Sequence, residues 1–163
     1  MSAPPGFRET RLIDPFEIHV GPVYEQGEKG ARRFGLRVAK QHVTHEGDHR
    51  FTIVLEENVL RHQIGGPAVL REQLEYLRSA ISLPSVKLGI IPFTADRSAL
   101  HPVEMFFMHD DAQVNIELVS GWLRVTQPSE VGMYAAAFAR LAETAVYGSA
   151  ARTLINRAIG ALG

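Results

Sequence analysis

Leu70, Leu74, Leu77 and Ile81 recur at i, i+4, i+7 and i+11, which predicts an amphipathic helix. Pro67 suits its first helical position, and Pro84 ends it. A second helical stretch runs from Lys29 to about Val43. Phe34 and Val38 mark one side, filled out by Ala31, Ala39 and Val43, and Lys29, Arg33, Arg37 and Lys40 share another face. Gly47 in HVTHEGDH closes that helix. Near the C-terminus, Ser129 caps a helix that buries Val131, Tyr134, Phe138, Leu141 and Ala145. Gly148 breaks the run. Ser149 caps a last helix carrying Leu154, Ile155, Ile159 and Leu162.

Five segments read as strands: FTIVLEE from Phe51, then VKLGIIPF, VEMFFMH, VNIELVS and WLRVT. NVLRHQI after the first is one or two helical turns, broken by Gly65 and Gly66. The connectors His109-Asp110-Asp111 and Ser120-Gly121 are short, so the last four strands read as antiparallel neighbours. TADRSALHP is the one longer loop among them. Strands clustered centrally between helices predict an α+β fold: a mostly antiparallel sheet of about five strands covered by helices. Residues 1–28 mix glycine, proline and charge around FEIHV, a possible short edge strand. They read as an N-terminal arm, and residues 29–163 as one domain.

Composition narrows the function. The 163 residues, 45% hydrophobic and 21% charged, suit one globular domain with a full core. The absence of cysteine excludes disulfides, a thiol nucleophile and cysteine-ligated metal. Seventeen Lys+Arg against eighteen Asp+Glu leave a net charge of −1, without the basic excess of a nucleic-acid binder. No apolar run approaches the ~18–20 residues of a membrane span. The start lacks a basic n-region and an apolar h-region, so the expected compartment is the cytoplasm. There is no phosphate loop, no G-x-S-x-G elbow, no H-E-x-x-H and no dinucleotide fingerprint. No cofactor and no metal are expected.

Four constellations remain. His42, His45 and His49 with Glu46 and Asp48 mix imidazole and carboxylate, but without fixed ligand spacing. A solvated helix-to-strand turn is the plainer reading. In LEENVLRH, Glu56 and Glu57 end a strand, with Arg61 and His62 a turn later. Glu57 and Arg61 can pair at i, i+4, or Glu57 can stand at a pocket mouth. In VNIELVS, alternation puts Glu117 opposite the apolar Val114, Ile116 and Leu118, on the outer face or in a groove there. In TADRSALHPVEMFFMHDD, Asp96, Arg97, His101 and His109 flank Met105-Phe106-Phe107-Met108, a strand covered on both faces. Trp122 beside Arg124 is an interface anchor or plain edge packing.

From Arg37 to Ile155, about three quarters of the chain, the order of motifs resembles a known family. RVAKQ stands where that family has an Arg-x-x-Arg-Gln helix end. VLEENVLRHQIGGPAVLREQLEYL follows its acidic strand end with Leu-Arg and Gly-Gly. IIPF, VNIELVSGWLRV and YAAAFARLAETAVYGSAARTLI match its later strands and final helices. The chain is similar to the C-terminal effector domain, of unknown function, of actinobacterial helix-turn-helix regulators of the xenobiotic-response-element type, often described as antitoxin-like. The resemblance implies an α+β domain that senses a ligand or a small partner protein. It puts Glu57, Arg61, Gly65, Gly66 and Glu117 on recurrent positions without a catalytic role. The helix-turn-helix is missing here, FEIHVGPVYEQGEKG replaces the usual linker, and His62 and the short Asp96–Pro102 loop are departures.

Three functions follow as expectations. The first is a stand-alone regulatory module without its own DNA-binding half. It binds a small apolar molecule or a small partner protein in a pocket involving Arg61, Phe93, Arg97, Met105, Phe107 and Trp122. The second is a cofactor-free acid–base enzyme, a cyclase or isomerase of a natural-product pathway. It requires two of Glu57, His62, His101, His109 and Glu117 within hydrogen-bond reach. The third is a homodimer module with a self-complementary apolar face.

Overall fold

The computed structural model describes residues 9–11, 51–63, 65–101, 104–118 and 120–163, with residues 9–11 and Glu117 described by their backbone. The strands are β1 (Glu9–Arg11), β2 (Phe51–Glu56), β3 (Val86–Ile91), β4 (Phe106–His109), β5 (Gln113–Leu118), β6 (Gly121–Val125) and β7 (Val146–Tyr147). The helices are α1 (Pro67–Ala80), α2 (Pro128–Thr144) and α3 (Gly148–Gly160), and a 3-10 helix spans Glu57–Arg61. The expected helix at Lys29–Val43, the FEIHV strand and the histidine cluster lie outside the described residues.

The fold is mixed α+β, and the sheet departs from the expected five mostly antiparallel strands. Its order is β6-β5-β4-β1-β2-β3-β7. β4, β5 and β6 form an antiparallel meander, while β2 and β3 are parallel and β7 closes antiparallel on β3. The two three-stranded halves meet at β1, which runs parallel to β2 and antiparallel to β4. VKLGIIPF is therefore not a hairpin partner of β4. The α1 crossover, a βαβ unit, returns it beside β2. The two hairpins of the meander match their expectation, and the first turns at Asp110, whose φ of 51° an aspartate tolerates.

Parallel strands are buried on both faces, and β2 and β3 show it. Phe51, Ile53, Leu55, Val86, Leu88 and Ile90 pack with Leu70, Leu74 and Leu77 of α1 and Ala151, Ile155 and Ala158 of α3. Val54 and Ile91 face the other way. They join Phe106, Met108, Val114, Ile116 and Val125 under Val131, Phe138 and Leu141 of α2. Each fully buried aliphatic such as Leu74 or Ile155 contributes ~1.5–3 kcal/mol. Ser129 and Ser149 do not cap as expected. Pro128 with its preset φ opens α2 two residues earlier, after Gln127, and α3 begins at Gly148 directly after β7.

One contact ties β7 to β3. Gly89 lies opposite Tyr147, whose ring folds over it and whose hydroxyl donates to the Ala142 carbonyl at 2.9 Å. A Cβ on Gly89 would sit 2.6 Å and 2.8 Å from two ring carbons and 3.0 Å from the Ala145 Cβ. The anchored ring cannot swing away freely. Gly89→Ala is expected to lower stability by about 1–3 kcal/mol in urea denaturation. The loss should shrink in a Tyr147→Ala background, and an equal loss in both backgrounds would place the clash elsewhere.

Candidate functional site

Among the described residues, two places gather polar side chains against apolar walls. The first is at the carboxyl ends of the parallel strands. Glu56, the last residue of β2, pairs with Arg97, Nη1 to Oε1 at 2.9 Å. The contact is Coulombic rather than an aligned hydrogen bond, and the shielded guanidinium nitrogens find no other acceptor among the described residues. Glu57 Oε2 accepts the Phe93 N–H at 2.7 Å. It does not pair with Arg61, because a 3-10 helix eclipses i with i+3 and turns i+4 away. Asp96 accepts the Ser98 hydroxyl and, at 2.8 Å, its N–H. These bonds hold the exposed Asp96 carboxyl below its usual range, the hydroxyl contributing most. Two adjacent glutamates thus fasten the loop after β3, a structural task.

The remaining expected residues scatter. Arg61, His62 and His101 are exposed, and Phe93 is 64% exposed. His109 ends β4. Because Thr10 lies level with both Thr52 and Met108, His109 sits at the end of the sheet where β2 begins. Five residues of β2, about 17 Å, separate that end from Glu56. Glu117 pairs with Trp122 in register, three strand positions or about 14 Å from β2. Among the described residues, Glu57, His62 and His101 make no hydrogen bond to one another. Phe107 is buried on the face opposite Phe106, Met105 is half-buried beside it, and Trp122 is exposed.

The second place is an open groove of about 370 Å³ between α2 and the meander. Helical spacing builds one wall: Glu130, Met133, Tyr134 and Ala137 stand at i, i+3, i+4 and i+7 of α2. Strand alternation builds the other, with Leu123 and Val125 from β6 and Phe106 from β4. Glu104 joins them two residues before Phe106. Phe106 and Val125 are buried, whereas Leu123 and Met133 form an exposed rim. The Tyr134 ring meets Phe106 edge to face, with centroids 4.8 Å apart, and its hydroxyl donates to Glu104 Oε1 at 2.7 Å. The apolar pocket expected near Phe93, Met105 and Phe107 is thus not where this groove lies; it opens on the other face of the same strand. Glu104, Glu130, Met133 and Ala137 were absent from the sequence reading, and Tyr134 stood there as a core residue. The signal was available in the Glu-x-x-Met-Tyr-x-x-Ala spacing.

Burial, the hydrogen bond to Glu104 and the charges of Glu104 and Glu130 push the Tyr134 phenol up to about 12. The folded protein therefore holds this proton more tightly than the unfolded chain. The associated stability is complete below about pH 10 and is lost as pH rises towards 12. An ultraviolet phenolate titration should show a step near 12 that disappears in Tyr134→Phe and moves down in Glu104→Gln. Persistence of that step in Tyr134→Phe would reassign it to Tyr147, whose pKa burial also raises.

Among the described residues no group of three or more histidine and acidic side chains could hold a metal ion, and no helix is long and apolar enough to cross a membrane. No curated protein and no solved structure matches the chain significantly. A family model does match, over residues 22–157, most of the chain's length. The chain belongs to the DUF5753 family, a domain of unknown function.

Proposed function

We propose that this protein is a ligand-binding effector module of a regulatory system, and that its binding site is the groove between α2 and the β4–β6 meander. The observation that carries this reading is the lining of that groove. Apolar and aromatic side chains make most of its wall, one oriented hydroxyl–carboxylate pair sits inside, and its volume of about 370 Å³ falls in the range that small ligands fill. The likeness to effector domains of helix-turn-helix regulators supports the regulatory half of the proposal.

The chemistry of the groove favours binding over catalysis. Tyr134 keeps its proton across the physiological range, so it orients and donates rather than abstracts. The acid–base alternative needs two titratable partners that share a pocket, and β4 carries His109 to the end of the sheet opposite Glu57. A small partner protein is the competing occupant of the same module.

Native mass spectrometry of the protein purified from its own cells tests the proposal. The expected result is a retained small molecule that is lost in Ala137→Trp, where the indole fills the groove from α2. A bare wild type whose stability no apolar probe raises would overturn it. So would a bound small protein that Ala137→Trp leaves in place.

A further inference from the structure

The groove has a charge character that its apolar walls do not require. Glu104 and Glu130 both line it, one from two residues before β4 and one from the first turn of α2. None of the eight lining side chains is basic. Arg124 lies between the two β6 residues that line the groove, so alternation sends it to the opposite face. Tyr134 engages one oxygen of Glu104 and donates its only proton there. Among the described residues nothing else bonds the second Glu104 oxygen or the Glu130 carboxylate, and both residues line a space walled by Phe106, Leu123, Val125 and Met133.

We infer that the groove takes a small cationic amphiphile: an apolar body carrying one protonated amine. This rests on the reading of the groove as the binding site and names the chemistry of its occupant. An ammonium has three donors and no acceptor, which matches a site that offers carboxylate oxygens and a committed hydroxyl. Charge-assisted hydrogen bonds beside apolar walls are roughly twice as strong as neutral ones. A neutral body would fill the walls and leave the carboxylates to water. A carboxylate-bearing body would set like charges together at the Glu104–Glu130 end. The Phe106 and Tyr134 rings, packed edge to face, add aromatic surface at that end of the groove.

The test compares three probes of one chain length, n-decylamine, 1-decanol and decanoate, by isothermal titration calorimetry at neutral pH on the full chain. The amine is expected to bind at least about tenfold more tightly than the alcohol, with decanoate weakest. In Glu104→Gln/Glu130→Gln the amine's advantage should collapse towards unity while the affinity for 1-decanol stays. Both substituted positions are exposed, and a glutamine at 104 still accepts the Tyr134 hydroxyl, so the fold is not at stake. Ala137→Trp should abolish the binding of all three. If the alcohol binds as tightly as the amine and Ala137→Trp blocks both, the groove is the site and the charge inference fails. Amine binding that survives Ala137→Trp also overturns the inference. If no probe binds, the reading of the groove as a ligand site fails with it.

Discussion

The parallel pairing of β2 with β3 is the constraint from which the rest of the fold follows. Two parallel strands need a crossover connection and dry cover on both faces. The crossover supplies α1, and α3 completes that layer over Phe51, Ile53, Leu55, Leu88 and Ile90. The opposite face shows Val54 and Ile91, and Gly89 leaves room there for the Tyr147 ring. Covering it requires a third helix, and α2 does so while also reaching the meander. A helix that spans both halves of a twisted sheet cannot seat against every strand along its length. Where the first half of α2 passes Leu123 and Val125 of the edge strand β6, a groove remains.

That geometry divides labour between the two acidic regions. Glu56 and Glu57 lie where the parallel strands end, the place where open α/β sheets often bind ligands. Here both carboxylates are spent on Arg97 and on the Phe93 N–H, so the corner is closed by its own loop. Glu104 and Glu130 lie on the meander side. Only one of their four oxygens is engaged, by Tyr134, in the hydrogen bonds between described side chains. The difference between a fastened corner and an open groove is one of satisfied against available acceptors.

Local features of the fold were legible in the sequence, and distant pairings were not. The Leu70–Leu74–Leu77 stripe, the Pro67 start and the two tight hairpins are set by residues within a turn or two of each other. The partner of β3 is chosen across some thirty residues, beyond the reach of periodicity. The unbroken apolar runs FTIVL and LGII did carry the mark of strands buried on both faces. The three residues of β1, from a segment read as an arm, join the two halves, and nothing in Glu9-Thr10-Arg11 announces an interior strand. At the candidate site, spacing put Tyr134 in line with Val131 and Phe138, which are core. One helical step of about 100° separates a buried position from a groove wall, and which one faces the cleft depends on where β6 ends. The glutamate and histidine candidates, spread from Glu57 to Glu117, needed the fold to bring them into one pocket. Strand direction then sent His109 to the far end of the sheet from Glu57.

The Tyr134–Glu104 pair decides what such a groove can do. A phenol that serves as a general base must surrender its proton near the working pH, and a half-buried phenol beside two carboxylates does the reverse. Glu104, in turn, accepts from Tyr134. Tyr134 is therefore held as a neutral donor, with Glu104 as its acceptor. A fixed donor–acceptor pair orients a ligand without exchanging protons with it. The Tyr134 ring, held edge-on to Phe106, carries that fixed polarity into an apolar wall. Anything that filled the groove would have to match both surfaces at once, and a joint demand on shape and charge is how a shallow groove of modest volume would discriminate.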